Sequence, residues 1–581
     1  MSTVESDAPA LRQPLRLWPG VVLVAIEWLA WWVGPNVLPG NAKAYAAIFG
    51  LLVGAVGVPI WWVFFSRAAR IERWGALGLV IAALALTPPF LHRSVAEGNM
   101  GIQYFAYAIP LTTLALVVWA AATRTLSNRV RRATMVVSLL APSALFLAVR
   151  SEGLTGDGRA QFVWRWSPTP EERLLARAPE SLPAEAELEV AGEIRAEWPG
   201  FRGPDRDGVV TGVAIETDWE TAPPVELWSR SVGPGVSSFA VGGGLVYTQE
   251  QRGDEEIVSC YELATGEPVW RHHEPIRFWD SHVGAGPRAT PTLADGRIYA
   301  LGATGLLNAL AAGDGSVLWS RDAAADADAI EHSFGYTGSP LVVDDLVVVA
   351  LGARLVAYDT STGEPRWLGP DQKVGYSSPQ LLTIDGVEQI VLMTGEGAIA
   401  VSPADGSLLW EHAWPGIGIV QPAVADDTEV LVSQSSDFAA SGGIRRLAVE
   451  RRQGEWSVRE AWTSHGLEPS FSPFVVDGGH AYGFDGHIMA AIDIETGKRV
   501  WKGGRYGAGQ VLLLADQDLL LVVSERGELA LVEATPERFH ELARVPAIEG
   551  RTWNQPALAG RTLLVRNGRE MAAFELAAGD R

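Results

Sequence analysis

The sequence predicts an all-β, eight-bladed β-propeller preceded by an α-helical transmembrane bundle. Three observations support this prediction: a repeat of short apolar strands in the last two thirds, five apolar runs in the first 150 residues, and a change of net charge between the two parts. We expect a five-helix transmembrane domain over residues 1–150, a linker over 151–196 and the propeller over 197–581.

The repeat is clearest at residues 490–501, which read Ala-Ala-Ile-Asp-Ile-Glu-Thr-Gly-Lys-Arg-Val-Trp. The apolar residues alternate as in a half-buried strand, Thr-Gly supplies a tight turn, and Trp has a large apolar surface to bury against a neighbouring unit. Similar segments end at Trp270, Trp319, Trp367 and Trp410. A repeat of roughly 40–50 residues with several strands per unit is typical of β-propellers.

The number of blades follows from these tryptophans and one degenerate copy. Trp228, Trp462 and Trp501 complete the series, and a copy near residues 529–536 has Leu542 close to the expected Trp position. The strand that ends at Trp228 lacks a preceding partner, and the last strand, 570–576, lacks a following Trp. We predict that the end of the chain completes the blade containing Trp228. This gives eight blades, with seven as the main alternative.

Apolar runs of near-membrane length fill the first quarter of the chain. They cover residues 17–38, 44–65, 74–90, 104–122 and 133–149. Each approaches the roughly 20 residues that cross a bilayer. Arginines concentrate before the first run, between the second and third, and between the fourth and fifth. The positive-inside rule then predicts a cytoplasmic N-terminus and an extracytoplasmic, or periplasmic, propeller anchored in the inner (plasma) membrane.

Glu27 lies near the middle of the first run. A carboxylate at that depth is costly unless it is paired, protonated or in contact with water. Two interpretations stay open: a polar site for a quinone headgroup or a proton, and an interhelical hydrogen bond.

Charge and cysteine content limit the partners. Residues 1–150 hold 12 Lys and Arg against 5 Asp and Glu, a net charge of +7. The whole chain has a net charge of −22, so the remaining residues carry −29. An acidic propeller argues against a nucleic-acid partner, which needs a positive face. Cys260 is the single cysteine, which excludes an intrachain disulfide, and we interpret it as a small buried residue of a strand.

Equivalent positions of the repeat predict where a site would form. A small polar residue followed by Pro, as in Thr290-Pro291 and Ser339-Pro340, recurs where each inner strand should begin. Larger functional side chains precede these steps, and the loops that carry them should converge on one mouth of the central channel, where ligands are usually held. The candidates are Asp280, Arg288, His332, Arg505, Trp553 and Asn554.

The repeat that ends in Thr-Gly-x-x-x-Trp resembles that of the pyrroloquinoline-quinone (PQQ) repeat propellers. These include quinoprotein dehydrogenases and a lipoprotein scaffold of outer-membrane β-barrel assembly that binds no quinone. Five spans followed by a propeller also look like the membrane-bound quinoprotein glucose dehydrogenase. The resemblance implies PQQ and calcium as the cofactors of any enzyme of this kind. Asp280 would then act as the base, and Arg288, His332, Arg505, Trp553 and Asn554 would hold the quinone, while no motif fixes the metal ligands.

The sequence also departs from the family. Alcohol-oxidising members stack the quinone on a vicinal disulfide, which a single cysteine does not form. Two functions remain: a membrane-anchored periplasmic binding or scaffold module with protein partners, and a PQQ-dependent dehydrogenase that oxidises an alcohol or a sugar and passes electrons to membrane quinone. The missing cysteines favour the first, and the five-span anchor favours the second.

Overall fold

A computed structural model describes residues 15–38, 42–177, 194–435 and 442–579. The chain divides into two compact units, one of Met1–Leu154 with Ala160–Ser167 and the other of Thr155–Arg159 with Pro168–Arg581. Residues 178–193 of the expected linker lie outside the described residues. Pro170–Leu175 form a short helix, with Thr169 and Glu172 forming a capping box at its start.

All five apolar runs of the first unit form helices. Their bounds, with three short helical pieces between them, are Trp18–Val33, Gly34–Val37, Ala42–Phe65, Arg70–Leu86, Pro88–Phe90, Arg93–Ala96, Gln103–Ala122 and Asn128–Leu147. Three of them, Ala42–Phe65, Gln103–Ala122 and Asn128–Leu147, are long and apolar enough to cross a membrane. The third run differs from the prediction, because its helix starts at Arg70 and ends before Pro88-Pro89. The five-span anchor stays a prediction.

Buried polar pairs lie between these helices. Thr113 donates a hydrogen bond to Glu27, with 2.7 Å between Oγ1 and Oε2, and Glu27 is fully buried. This contact agrees with the interhelical hydrogen bond considered above. Glu72 and Arg131 form an ion pair at 3.1 Å, and both side chains are almost fully buried. Strands Val149–Leu154 and Ala160–Trp164 form a hairpin after the last helix.

Eight sheets of four main strands form the propeller, so the eight-bladed fold is confirmed. We number the blades 1 to 8 and give their strands from the inner to the outer edge. Blade 1 is Ala240–Gly242, Leu245–Arg252, Glu255–Glu262 and Pro268–Glu274; blade 2 is Thr292–Ala294, Arg297–Leu301, Leu306–Ala311 and Val317–Asp322; blade 3 is Leu341–Val343, Leu346–Leu351, Arg354–Asp359 and Pro365–Leu368; blade 4 is Gln380–Ile384, Val387–Met393, Gly397–Val401 and Leu408–Ala413.

The remaining blades follow the same order. Blade 5 is Ala423–Asp426, Glu429–Gln434, Gly443–Arg452 and Glu455–Ser464; blade 6 is Val475–Asp477, His480–Asp485, Ile488–Asp493 and Arg499–Arg505; blade 7 is Gln510–Leu514, Leu519–Val523, Glu528–Glu533 and Glu541–Pro546; blade 8 is Ala557–Ala559, Thr562–Arg566, Glu570–Glu575 and Val225–Ser231. The outer strand of blade 8 precedes blade 1 in the sequence, so the ring closes as predicted.

The Trp of the repeat links most blades to the next one. The indole N–H of Trp319 in blade 2 donates to the carbonyl of Thr360 in blade 3 at 3.0 Å. The ring also covers Gly363 of the same turn, where an added Cβ would lie 2.6 Å from the indole. Gly363 is therefore required both for its positive φ of 70° and for the close approach of the ring.

Blade 7 lacks the tryptophan, and its register corrects the expectation at Leu542. Trp319 lies opposite Ala309 just before a bulge, and the same position of blade 7 is Ala543, opposite Leu531. Leu542 is partly exposed and does not take the Trp position.

Candidate functional site

Residues 198–210, which we call the crossing segment, pass between the inner strands of opposite sides of the propeller. Strand Ala196–Trp198 pairs with the inner strand of blade 1, and Val209–Val210 pairs in parallel with that of blade 7. Between them, the carbonyl of Pro199 accepts a hydrogen bond from the amide of Leu293 in blade 2, at 2.7 Å. Gln380 of blade 4 donates to the carbonyl of Asp205 at 2.8 Å.

Two buried arginines extend these contacts to blades 3 and 6. Arg206 donates to the carbonyls of Pro340 and Ser339 at 2.7 and 3.0 Å, and Arg202 donates to the carbonyl of Phe474 at 2.7 Å. Burial lowers the pKa of Arg202 to about 10 and that of Arg206 to about 9. The crossing segment thus contacts the inner strands of six blades, and polypeptide fills the axis of the propeller at this level.

The polar residues before the recurrent prolines form a belt of hydrogen bonds between blades. The amide of Ser238 donates to Thr290 at 2.9 Å, the amide of Thr290 to Ser339 at 2.9 Å, and the amide of Ser339 to Ser378 at 3.0 Å. All four residues are buried. These side chains therefore join neighbouring blades, which explains their small size.

Asp280 and Arg288 form a buried ion pair in the loop between blades 1 and 2. The other oxygen of Asp280, Oδ1, accepts the backbone N–H groups of His282 and Val283 at 2.7 and 2.9 Å. Arg288 also donates to the carbonyl of Gly284 at 2.7 Å. Burial lowers the pKa of Arg288, and the nearby Asp280 opposes that change. Both oxygens of the proposed base are engaged within its own loop.

Aromatic rings and a second arginine surround this pair. His282 packs edge-on against Phe334 at 5.3 Å, and Phe334 packs in the same way against Tyr376 at 5.2 Å. Arg551 donates to the carbonyl of Val283 at 2.7 Å and lies 4.4 Å from the Trp553 ring. Burial lowers the pKa of Arg551 to about 10. Loops that precede blades 2, 3, 4 and 8 therefore do converge.

Trp553 and Asn554 belong to this region in different ways. The indole N–H of Trp553 donates to Glu525 at 3.1 Å, and its ring lies 4.8 Å from Phe471. Asn554 is buried and donates to the carbonyls of Gly235 and Ser237 at 3.2 and 2.8 Å. Asn554 therefore joins blade 8 to blade 1.

His332 and Arg505 lie apart from these contacts. His332 is half-buried, and its ring lies next to Gly352, where an added Cβ would come within 3.0 Å. Arg505 is exposed at the end of the outer strand of blade 6, opposite Ile488. The adjacent Tyr506 forms a hydrogen bond with Glu541 in the outer strand of blade 7. The role of Arg505 in quinone binding stays a prediction.

Sequence reasoning missed Glu525, Phe471 and the roles of Arg202 and Arg206. Glu525 lies in the turn between the second and third strands of blade 7, and not in one of the loops that precede an inner strand. The two arginines lie in a segment rich in Gly and Pro that precedes the repeats, and this composition was the available signal. Their acceptors are backbone carbonyls, which every residue has, so the sequence does not indicate which residues accept these hydrogen bonds.

The fold and these contacts define an eight-bladed propeller whose blades are joined by Trp–turn contacts and whose centre is crossed by its own N-terminal segment. Its repeats are of the PQQ-like β-propeller type. A family profile described as outer membrane protein assembly factor BamB (PQQ_2) matches residues 253–503.

Two relatives with similar sequences carry the same description. The outer membrane protein assembly factor BamB of Shewanella oneidensis is 29% identical over 305 residues, which cover 48% of this chain and 71% of that protein. The BamB of Moranella endobia is 24% identical over 303 residues, 48% of this chain and 74% of that protein.

Two solved structures are similar in fold. They are the quinohemoprotein alcohol dehydrogenase of Comamonas testosteroni (13% identity, TM-score 0.48, 66% of this chain and 81% of that one) and BamB of Moraxella catarrhalis (15% identity, TM-score 0.45, 62% and 99%). Similarity at this level bears on neither activity nor ligand.

Proposed function

We propose that this protein is a membrane-anchored, extracytoplasmic propeller that acts as a scaffold for other proteins. The observation that carries the proposal is the crossing segment. Small ligands usually bind in concave pockets, and in propellers the central channel is the natural one. Here the inner strands of six blades bind residues 198–210 instead.

The mouth region supports the same proposal. Asp280 is neutralised by Arg288 and accepts two backbone N–H groups, and Arg551 donates to a carbonyl of the same loop. These groups stabilise the loops on which they lie. The relatives are named as assembly factors of outer membrane proteins, which is consistent with a scaffold role.

The alternative is a PQQ-dependent dehydrogenase with membrane quinone as acceptor. One observation favours it: two arginines, an aspartate and several aromatic rings meet at one mouth. The residues nevertheless fit PQQ and calcium poorly. Both Asp280 oxygens are engaged, and Arg505 is exposed on an outer strand. Across the described ranges, no group of three or more His, Cys, Asp or Glu is placed to hold a metal ion. We derive no reaction step through this cofactor.

Calorimetry separates the two functions. PQQ is titrated into the detergent-solubilised full chain that has already been saturated with CaCl2, so that heat from calcium alone is excluded. The scaffold proposal expects no heat of PQQ binding. A 1:1 binding event that Arg288→Ala or Arg551→Ala weakens would establish the quinoprotein alternative in its place.

Crosslinking in membranes tests the scaffold directly. A photoreactive residue replaces an exposed position of the propeller, such as Val424 or Leu408. We expect one defined protein to be crosslinked to the propeller surface, with a yield that rises with the amount of that protein. An absence of crosslinked protein from positions on every blade would contradict the scaffold role.

A further inference from the structure

Two glutamates lie directly opposite each other in blade 1. Glu256, at the start of strand Glu255–Glu262, is the cross-strand partner of Glu274, at the end of strand Pro268–Glu274. Direct partners in an antiparallel pair point to the same face, with their Cβ atoms about 4.5–5.5 Å apart, and like charges in this position are destabilising. Neither residue belongs to the mouth described above.

Glu256 is deeply buried and poorly compensated. Glu256 is 6% exposed. In the part of the chain that the structure describes, its hydrogen-bond donor is the backbone N–H of Ala303, 3.2 and 3.3 Å from the two carboxylate oxygens. A buried carboxylate normally requires a cation or several donors. Burial, together with the charge of Glu274, raises the pKa of Glu256 to about 7, although the amide of Ala303 and the charge of Arg288 oppose the rise.

A small cavity lies between these carboxylates and blade 2. Its volume is about 10 Å³, roughly the space of one water molecule or one ion. Glu256, Glu274 and Asn308 are among its lining residues. Asn308 is 4% exposed; its amide nitrogen donates to Glu274 at 3.1 Å, while its Oδ1 is buried without a hydrogen-bond partner. This oxygen is a third available ligand at the same cavity.

The charges around the cavity sum to a negative value. Arg288 is the cation that acts on Glu256, but its guanidinium is already paired with Asp280. His272 contacts Glu274 at 2.8 Å and balances it only when protonated. Three carboxylates therefore face one arginine and one histidine, and a further cation would remove the imbalance.

We propose that Glu256, Glu274 and the amide oxygen of Asn308 bind a divalent cation at the seam between blades 1 and 2. Two carboxylates and an amide oxygen form the kind of hard oxygen ligand set that Ca2+ prefers, with waters completing its coordination. Glu274 is partly exposed and gives the ion a route from solvent. Because the ligands come from two blades, the ion would strengthen the contact between them. This inference does not depend on the proposed scaffold function.

Thermal unfolding of the full chain in detergent tests the site. After EDTA treatment and dialysis, millimolar CaCl2 should raise the Tm of the propeller by roughly 2 °C or more, since an ion that binds only the folded state stabilises it. Glu256→Gln and Asn308→Ala should remove most of this shift. Glu255→Gln is the matched control, because Glu255 is the adjacent residue on the same strand with a half-exposed side chain paired with His273; it should keep the shift.

The same experiment can overturn the proposal. A parent protein whose Tm does not respond to CaCl2 has no such site. An equal loss of the shift in Glu255→Gln would indicate general screening of an acidic surface, and a full shift retained in Glu256→Gln would place the ion elsewhere. If Glu256→Gln does not fold, Asn308→Ala decides, and calorimetric titration with CaCl2 should give about one ion per parent chain and none for this variant.

Discussion

Trp228 and Ala573 are cross-strand partners in blade 8, although they stand at opposite ends of the propeller sequence. The indole N–H of Trp228 also donates to the carbonyl of Leu263 in blade 1 at 2.8 Å. The strand Val225–Ser231, from the start of the domain, therefore completes blade 8 and also contacts blade 1.

Removal of the closing strand should destroy the ring. Deletion of residues 569–581 takes away Glu570–Glu575 and leaves two unpaired edges, one on Val225–Ser231 and one on Thr562–Arg566. Exposed edges promote aggregation. We expect loss of cooperative unfolding in a thermal melt, with strong aggregation. Deletion of residues 580–581 alone is the control, and a long deletion that melts like the parent would refute closure by this strand.

Substitution of Arg206 should destabilise the propeller. Arg206→Met leaves the carbonyl of Ser339 without its arginine donor and the carbonyl of Pro340 with only the Thr292 hydroxyl, while it removes the cost of a buried cation. We expect a net loss of about 1–3 kcal/mol in the free energy of unfolding. Arg505→Met changes an exposed arginine and should stay within about 0.5 kcal/mol of the parent. Denaturant unfolding of both variants measures this, and equal values would show that the crossing segment contributes little.

The buried carboxyl of Glu256 should make stability depend on pH in the absence of calcium. Its pKa in the folded state, about 7, exceeds the ordinary value of 4.5, so the folded protein binds the proton more tightly. Its contribution is fully present below about pH 4.5 and is lost as the pH rises through 7. In EDTA, Glu256→Gln should flatten this decline and exceed the parent by about 1–3 kcal/mol at pH 8. A variant whose stability follows the parent from pH 4.5 to 8 would contradict the shift.

The predicted topology can be tested with reporter fusions. Arginine-rich and arginine-poor loops alternate along the first 150 residues. A reporter that is active only in the periplasm should be active when fused after Arg150 and inactive after Arg132. A reporter that is active only in the cytoplasm should give the reverse. The opposite pattern would overturn both the orientation and the extracytoplasmic placement of the propeller.

The sequence was sufficient for the blades because their determinants are local and repeated. A Trp, a turn Gly and an alternating strand specify most contacts between blades, as Trp319 and Gly363 illustrate. Closure by the last strand followed from one unpaired strand at each end. Cys260 is fully buried in a strand, as interpreted, and burial raises the pKa of its thiol.

The site was less predictable because its contacts are not local. Arg206 bonds to carbonyls that any residue provides, so its partners in blade 3 are invisible in the sequence. Arg505 was grouped with Arg551, but it ends the outer strand of blade 6, and the hydroxyl of the adjacent Tyr506 bonds to Glu541 in the outer strand of blade 7. The excess of negative charge at Glu256 arises because the strand register places Glu274 opposite it, and this register is seen only in the paired strands.

Closure by an early strand also sets a schedule for the synthesis of the protein. Val225–Ser231 is made roughly 340 residues before its partner Glu570–Glu575, which at about 5–20 residues per second is a delay of roughly 20–70 s. During that interval the strand has no native edge to pair with, and Trp228 is exposed to wrong partners. A chain interrupted at any point before residue 570 cannot seal its ring, so incomplete products keep an open edge that proteases and chaperones can recognise.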